Sequence, residues 1–568
     1  MARTGVFAPW QRQGEPLAIS KTGYDLLRDP LLNKGAGFSD EERTTFGLHG
    51  LLPAAVQSLA DQARNEYRVI AAKGSPPERF LHLSELMSQN EHLFYRVLNE
   101  HLNDLMPVVY TPTVAWATRN FGRAYQTRRG VWLTPDHSGQ MAEVLRTAVA
   151  ERQIRLIVAT DNESILGIGD QGAGGVAIAI GKLALYTAGA GIPPSATLPV
   201  SLDVGTNNQE LLDDPAYTGY RQPRLRGADY DAFVDEFVEA VRVVCPGALI
   251  QWEDFRKDAA ARILERYRGQ IPSFNDDIQG TGAVALAAVL SANRISGMAL
   301  GDHRIAVYGA GAAGLGIVRQ LRNALRNAGF SDAEQMERVA ALDSRGLLVT
   351  DQEIREDYKR ELAWPPELAA RFGIGSERDL ETLVRLYKPT VLIGTSGQPG
   401  SFSETIVRTM AEHCSHPVIL PFSNPTEYAE GLPEDILRWS DGTALVATGS
   451  PFPAVTYQDR TIRIGQGNNV FIFPGLGFGA LLGQPSQITD THVTAAAMAL
   501  ADHVSPEELA AGQLFPNVDR LREICREVAV AVVDCILEER GEQLPRERLR
   551  SEVESLMWRP EYPHYLVS

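Results

Sequence analysis

Cysteine is scarce in this chain: among its 568 residues there are four, Cys245, Cys414, Cys525 and Cys535. Thiols so few and so widely separated exclude a disulfide framework and a cysteine-based zinc site. The N-terminus also lacks the apolar core of a signal peptide, and neither a lipidation motif nor a basic cluster follows it. We therefore expect a reduced, cytoplasmic protein.

Long hydrophobic runs are almost absent as well. The exception is residues 173–192, AGGVAIAIGKLALYTAGAGI, which contain a single charge, Lys182. Twenty such residues are long enough to span a bilayer. The run is rich in glycine, however, and it has no basic flank. We expect a helix buried on all sides within a large domain, and no membrane.

Positive charge is in deficit, because 54 Lys and Arg face 71 Asp and Glu, a formal net charge of −17. This balance argues against broad binding to nucleic acid or to anionic membranes, since phosphate backbones favour an excess of Lys and Arg. A small anionic substrate remains compatible, provided that its pocket is locally positive or contains a metal. An apolar fraction of 44% indicates a folded protein, and the length predicts three or four domains.

The spacing of apolar residues changes along the chain. Residues 40–130 repeat apolar positions at spacings of three and four, which predicts helices. From about 154, short β-branched runs alternate with helical stretches, the βαβ pattern of a parallel sheet. A second βαβ block begins at about 303. The sequence therefore predicts an α/β protein with two parallel sheets and a helical N-terminal region.

The second block opens with a glycine loop. Ile305–Tyr308 is a short apolar strand, a helical pattern starts at Leu315, and the G-x-G-x-x-G between them contains Gly309, Gly311 and Gly314. In this context the motif predicts a Rossmann-type dinucleotide site, with the pyrophosphate at the helix N-terminus. Asp343 ends the next strand, where an acid would hold the ribose hydroxyls and favour NAD. Ser344 and Arg345 beside it keep NADP possible.

Carboxylates follow two strands of the first block: Glu253 and Asp254 after ALIQW, and Asp276 and Asp277 after PSFN. Such positions lie at the ligand-binding edge of a parallel sheet. If folding brings them together, their repulsion calls for a cation, and ligation by oxygen alone suits Mg²⁺ or Mn²⁺. Taken singly, each is more often a turn or cap residue, and only their convergence in the fold would favour a metal site.

Lys182 is the sole charge of its apolar segment. Burying an ammonium is expensive unless it pairs with a carboxylate, reaches water or gives up its proton. A buried lysine that gives up its proton is a competent general base. The segment alone leaves catalysis, a structural ion pair and contact with solvent all open.

Several of these strings together resemble the malic enzymes, which oxidise and decarboxylate malate to pyruvate. The resemblance runs in the family's order from about 40 to 538 and rests on LMPVVYTPTV (105–114), ILGIGDQG (165–172), GKLALYTA (181–188), SLDVGTNN (201–208), WEDF (252–255), FNDDIQGT (274–281), GAGAAGLG (309–316), SNPT (423–426), TGSPF (448–452) and GQGNNVFIFPG (465–475).

The resemblance implies roles for particular residues. Tyr110 would be the general acid and Lys182 the general base. The divalent-metal ligands would be Glu253, Asp254 and Asp277. Asn424 and Asn469 would lie near the substrate carboxylate and the nicotinamide, with Asn424 also contacting the cofactor. A family member of this kind usually forms a homo-oligomer, either a dimer or a tetramer.

The resemblance also implies the bounds and the role of each domain. It implies a helical N-terminal domain (1–129), a parallel α/β catalytic domain made from two segments (130–276 and 469–538), a Rossmann NAD(P)-binding domain (277–468) and a C-terminal tail (539–568).

One position departs from the family pattern. The family commonly has an arginine that binds a malate carboxylate in the string TDGERILG, where this chain has TDNESILG and Ser164. Arg119, Arg123, Arg128 and Arg129 are candidates to replace it. Two other functions stay open: a malolactic enzyme, which forms lactate and CO₂ from malate, and an inactive dinucleotide-binding regulatory protein.

Overall fold

The computed structural model describes residues 6–10, 12–124, 129–165 and 167–568. The chain divides into two compact units. Unit 1 comprises residues 1–255 and 544–568, and unit 2 comprises residues 256–543. Leu166, in the string 165–172, and Arg128 lie outside the described residues.

The strands of the described residues, in chain order, are β1 (Leu17–Ile19), β2 (Val131–Leu133), β3 (Leu156–Thr160), β4 (Thr197–Leu202), β5 (Leu249–Trp252), β6 (Ser273–Asn275), β7 (Ile305–Tyr308), β8 (Val339–Asp343), β9 (Gly346–Leu347), β10 (Val391–Gly394), β11 (Val418–Pro421), β12 (Leu445–Thr448), β13 (Val455–Tyr457), β14 (Arg460–Ile462), β15 (Gly465–Gln466) and β16 (Tyr565–Val567).

The α-helices are α1 (Gly23–Leu27), α2 (Asp40–Thr45), α3 (Leu59–Ala71), α4 (Pro76–Gln89), α5 (Glu91–Glu100), α6 (Leu102–Val109), α7 (Thr113–Arg119), α8 (Phe121–Ala124), α9 (Met141–Val149), α10 (Val176–Leu185), α11 (Gln209–Asp213), α12 (Gly227–Val244), α13 (Lys257–Tyr267), α14 (Thr281–Ser296), α15 (Ala312–Asn327), α16 (Asp332–Arg338), α17 (Pro366–Arg371), α18 (Leu380–Tyr387), α19 (Glu404–His413), α20 (Pro433–Trp439), α21 (Phe473–Gly483), α22 (Asp490–Asp502), α23 (Pro506–Ala510), α24 (Leu521–Glu539) and α25 (Arg546–Leu556).

Unit 1 combines a helical N-terminal part with parallel strands that pair in the order β2, β4, β3, β5. Every residue of β3 and β4 is buried, which explains why these strands read as continuous apolar runs. Helix α10 and the π-helical turn 186–190 form the apolar segment noted in the sequence. Gly172–Ala190 is long and apolar enough to cross a membrane, but its most apolar window is entirely buried within the fold.

The two ends of unit 1 pair with each other, because β1 and β16 form a parallel ladder in which Leu17 faces Tyr565. The Tyr565 side chain belongs to a small apolar cluster with Phe38 and Phe46, and its hydroxyl donates to the Leu32 carbonyl at 2.8 Å. The segment expected to be a charged tail therefore contains α25 and β16, and it completes the core of unit 1.

Unit 2 is built on a sheet with the strand order β15, β12, β11, β10, β7, β8, β9. All neighbours are parallel except β8 and β9. The buried residues Leu392, Ile419 and Trp364 belong to the core cluster of this unit. The expected fold class is confirmed: parallel α/β architecture in both units, a Rossmann-type unit, and helices at the N-terminal end.

Candidate active site

Lys182 is paired with a carboxylate inside unit 1. Its side chain is 2% exposed, and Nζ lies 3.0 Å from Oε1 of Glu253, which is 1% exposed. The other Glu253 oxygen accepts a hydrogen bond from Gln251 Nε2 at 2.7 Å, and Tyr186 donates to Gln251 Oε1. Of the three roles open for the lysine, solvent contact is excluded, and an ion pair is formed.

The geometry of this network follows from two periodicities. Lys182 and Tyr186 stand four residues apart and so lie on one face of a helix, whereas Gln251 and Glu253 stand two apart on one face of β5 and its extension. Each helix residue meets one strand residue. All four side chains in this chain of contacts are buried, so their pairing fixes the position of α10 against β5.

Tyr110 lies beside the lysine. It follows the last residue of α6, it is 7% exposed, and its ring centroid is 5.3 Å from Lys182 Nζ. Gly181 makes this approach possible, since a Cβ there would lie 2.8 Å from the Val109 carbonyl oxygen. A glycine next to Lys182 therefore lets α10 approach the end of the helix that carries Tyr110.

Asp254 has an unusual backbone. Its φ is 56°, in the left-handed region that non-glycine residues seldom occupy, and it is 2% exposed. Its carbonyl accepts a hydrogen bond from the backbone N–H of Ser164 at 3.0 Å. Such outliers cluster at functional sites. Ser164, which stands where the family has its arginine, therefore still stabilises the Asp254 backbone through a main-chain hydrogen bond.

The arginines offered as replacements for that position fall into separate places. Arg129 Nη2 binds Glu91 Oε1 at 2.7 Å and is therefore already paired. Arg119 lines a small cavity of about 40 Å³ with Asp214 and Tyr217. Nothing is described of the Arg123 side chain.

Asp276 and Asp277 lie in unit 2, in a π-helical turn (276–280) that follows β6. Asp276 is fully buried, whereas Asp277 is partly exposed. Asn469 Nδ2 donates to Oδ2 of Asp276 at 3.1 Å and to its carbonyl at 3.2 Å. The structure therefore joins two motifs of the sequence, FNDD and GQGNN, within unit 2.

The glycine loop has the geometry of a phosphate-binding turn. Gly309 has a φ of 119°, and a Cβ there would lie 2.5 Å from the Thr395 backbone. Gly311 caps the sixteen-residue helix α15, and a Cβ at Gly314 would overlap the Gly309 carbonyl. Side chains at the first and third glycines are excluded by backbone, as the dinucleotide motif requires.

Asp343 ends β8 and is 7% exposed. Its Oδ1 accepts the Arg345 N–H at 2.9 Å, and its Oδ2 lies 2.9 Å from Nζ of the buried Lys359. Burial alone would raise the pKa of Asp343, but the hydrogen bonds from Lys359 and Arg345 outweigh it and hold the pKa below its usual value. The carboxylate expected at the ribose thus has a lysine partner.

Asn424 follows β11. Its Oδ1 accepts a hydrogen bond from Ser450 Oγ at 2.6 Å, and its Nδ2 donates to the Phe422 carbonyl at 3.3 Å. The side chain is thereby fixed between SNPT and TGSPF, two of the strings that carry the family resemblance. These strings lie far apart in sequence and meet at the carboxyl ends of neighbouring strands.

Glu430 organises the loops around Asn424. It is fully buried, and one oxygen, Oε1, accepts from Ser423 Oγ at 2.6 Å, Ser396 N at 2.7 Å and Ser396 Oγ at 2.8 Å. Gly397 N adds a longer bond to the same oxygen at 3.3 Å. A single carboxylate therefore ties the loop after β10 to the loop after β11.

Sequence reasoning missed Lys359 and Glu430. Lys359 stands sixteen positions beyond its partner in a charged stretch, REDYKRE, which reads as an ordinary exposed segment. Glu430 stands alone in a loop before a glycine. In both cases the sequence offers only a weak indication of function. Each residue is a charged side chain near a motif string, and no local pattern shows that it is buried.

Comparison with known proteins places these features in context. Residues 87–268 match the family described as "Malic enzyme, N-terminal domain", and residues 278–537 match "Malic enzyme, NAD binding domain". The NAD-dependent malic enzyme of Aeromonas hydrophila is 42% identical over 554 residues, 97% of this chain and 98% of that protein. NAD-dependent malic enzyme 3 of Bacillus subtilis is 45% identical over 544 residues, 95% of this chain and 96% of that protein.

Among solved structures, the malic enzyme of Entamoeba histolytica superposes with a TM-score of 0.55 at 21% identity, covering 90% of each chain. The malic enzyme of Pyrococcus horikoshii gives a TM-score of 0.51 at 22% identity, covering 80% of this chain and 89% of that one. At these identities the structures support the fold.

Proposed function

The chain belongs to the malic enzyme family, and on that premise we propose that it catalyses the oxidative decarboxylation of (S)-malate to pyruvate and CO₂ with NAD as the hydride acceptor. The observation that carries the assignment of roles is the buried pair of Lys182 and Glu253, 3.0 Å apart, with the Tyr110 ring beside it. It unites three residues from three motif strings in one unit.

The chemistry assigns each side chain a proton transfer. Lys182 Nζ, as a neutral amine, would accept the proton of the malate C2 hydroxyl while the C2 hydride leaves for the nicotinamide. Loss of the β-carboxylate of the resulting 2-keto acid as CO₂ then yields the enolate of pyruvate. Tyr110 Oη would donate a proton to C3 of that enolate, which gives pyruvate, since a phenol with an ordinary pKa of ~10 keeps its proton at neutral pH. The proton that Lys182 accepted would then restore the tyrosine hydroxyl, so that both side chains return to their starting states.

Glu253, Asp254 and, by the family resemblance, Asp277 would hold a divalent cation. The donor set fits Mg²⁺ or Mn²⁺, because it contains carboxylate oxygens without cysteine or histidine. Within unit 1, Glu253 is paired with Lys182 and the neighbouring carboxylate of Asp254 is buried as well, which favours a cation at these oxygens. When bound, the cation supplies Lewis-acid polarisation of the malate C2 oxygen.

The NAD site would use the glycine loop for the pyrophosphate and Asp343 for the ribose. Gly311 at the N-terminus of α15 supports the first assignment, and the position of Asp343 at the end of β8 supports the second. Asn424 and Asn469 would contact the substrate carboxylate and the nicotinamide. Both amides have their orientations fixed by hydrogen bonds within unit 2.

Further parts of the proposal rest on the family resemblance. They are a homo-oligomeric state, dimer or tetramer, a cytoplasmic location, and the division into a helical domain (1–129), a catalytic domain (130–276 with 469–538), a nucleotide domain (277–468) and a tail (539–568).

The test follows the absorbance of reduced nicotinamide with malate and Mn²⁺, supplying NAD or NADP in turn. We expect net reduction with NAD and equimolar pyruvate. Lactate formed without net reduction would instead identify a malolactic enzyme. Binding of NAD without turnover of malate would overturn the proposal.

A further inference from the structure

A cavity of about 230 Å³ lies in unit 1, away from the residues assigned to catalysis. Among the described residues, those that line it are Arg129, Gly130, Val131, Ala148, Arg152, Ile180, Leu183, Thr197, Leu198 and Pro199. A water molecule occupies about 30 Å³ in the liquid, so the cavity can hold a ligand of several heavy atoms.

The charged part of the wall consists of two arginines. Arg129 is paired with Glu91, whose Oε1 lies 2.7 Å from Arg129 Nη2. Arg152 donates to the Ala148 carbonyl at 3.1 Å, and across the part of the chain that the structure describes no carboxylate lies within ion-pair distance of it. Arg152 is thus a half-buried guanidinium without a counter-ion.

The electrostatic surroundings of Arg152 reinforce this conclusion. Burial, followed by the like charge of Arg129, lowers the pKa of Arg152, and the opposite charges of Glu91 and Asp29 compensate only in part. Asp29 has its own cation, since its Oδ2 lies 2.6 Å from Lys21 Nζ. These five groups carry three positive and two negative charges, and the described charged residues that line the cavity are both cations, Arg129 and Arg152.

The remaining wall is apolar. Val131, Ile180, Leu183 and Leu198 are all more than nine-tenths buried and present hydrocarbon to the cavity, and none of the lining residues in the described part of the chain is an acid. The Thr197 hydroxyl already donates to the Pro194 carbonyl at 2.9 Å. A ligand that satisfies this wall carries one negative charge at one end and a short aliphatic body.

We propose that this cavity is a binding site for a small aliphatic monocarboxylate, with its carboxylate on Arg152 and its chain against α10 and β4. The site is distinct from the catalytic residues of α10. Ile180 and Leu183 face the cavity, whereas Lys182 between them reaches Glu253 on another face of the helix.

The experiment is calorimetric titration of the full chain with sodium butanoate, matched in ionic strength with sodium chloride. We expect saturable binding that weakens by roughly tenfold or more in Arg152→Gln, because a charge-assisted hydrogen bond is lost. Arg146→Gln is the control: it removes the same charge from an exposed position on α9 and should leave the affinity unchanged.

Two further ligands test the two halves of the site. Butanamide, which has the same body without the charge, should bind much more weakly, and so should inorganic phosphate, which has the charge without the body. Equal affinity in Arg152→Gln, equal affinity for butanamide or phosphate, or no saturable binding to the wild type would each overturn the proposal. If Arg152→Gln does not fold, Arg152→Lys should bind with intermediate affinity.

Discussion

Replacing Lys182 by methionine tests both the chemistry and the packing of the site. The substitution keeps the length and the apolar stem of the side chain and removes the ammonium that lies 3.0 Å from Glu253. Loss of a general base costs ~10²–10⁴ in turnover. Loss of one member of a buried ion pair also costs about 3–5 kcal/mol of stability, because a charge is left buried without its partner.

The structure allows these two effects to be separated. In the double variant Lys182→Met with Glu253→Gln both charges are absent. Stability should therefore recover most of the way to the wild-type value, whereas activity should not, since the double variant lacks the base and a proposed metal ligand. Gln251, which donates to Glu253 at 2.7 Å, can reorient its amide toward the new glutamine.

Turnover is measured by the absorbance of reduced nicotinamide, and stability by the thermal midpoint in the presence of a chelator, so that bound metal does not contribute. Two results would refute the reasoning. Turnover in Lys182→Met within tenfold of the wild type would reassign the lysine to packing. If the double variant were no more stable than Lys182→Met, the stability lost in the single variant would not come from leaving the Glu253 carboxylate without its ionic partner.

Four further substitutions test other parts of the site. Tyr110→Phe should lower turnover by ~10²–10⁴ with the thermal midpoint unchanged, because the ring stays and the proton donor is lost. Lys359→Gln should lower kcat/KM for NADP more than for NAD, since Lys359 Nζ, 2.9 Å from Asp343, is a positive charge at the position proposed for the ribose and would favour a 2′-phosphate there. Glu430→Gln should lower kcat/KM for malate by roughly tenfold, because an amide cannot accept all the donors now shared by one carboxylate. His303 is 1% exposed, and burial, offset in part by Asp302, lowers its pKa to about 4. The free energy of unfolding should therefore be highest above pH ~6.5, where the imidazole is neutral in both states, and should fall by up to about 3 kcal/mol as the pH drops toward 4. His303→Gln removes this titration, so the thermal midpoint should fall less over that pH range.

Each of these variants has a matched control at an exposed position: Tyr428→Phe, Arg360→Gln, Glu427→Gln and His49→Gln. The controls should behave as the wild type does. Unchanged turnover in Tyr110→Phe would remove the tyrosine from the chemistry, and equal losses with both cofactors would remove Lys359 from cofactor choice. A wild-type kcat/KM in Glu430→Gln, or an unchanged pH slope without His303, would contradict the corresponding argument.

The sequence carried enough information for the fold class and for the ends of the main strands. Apolar runs closed by Gly, Asp or Asn predicted β3, β4, β5, β7 and β8 because each run has a local period and a local stop signal. The glycine loop was equally readable, since its strand, turn and helix are contiguous. The buried helix around Lys182 was also expected from its apolar composition.

Partnerships between distant residues could not be read in this way. The sequence left open whether Lys182 pairs with a carboxylate, and it did not show that Glu253, 71 positions later, would be the partner. Lys359 with Asp343, and Glu430 with Ser396 and Ser423, are likewise contacts that tertiary packing creates. No local period encodes which of several acids becomes buried, because burial is decided by elements that assemble from separate parts of the chain.

The pairing of β1 with β16 has a consequence for biosynthesis. Residues 17–19 leave the ribosome early and must wait for residues 565–567 before their edge is covered, with the whole of unit 2 translated in between. During that interval Phe38 and Phe46 lack the ring of Tyr565 that packs on them in the finished fold. Unit 1 therefore cannot complete this ladder and this cluster until residues 565–567 have been made, and removal of those residues should impair maturation at the opposite end of the chain.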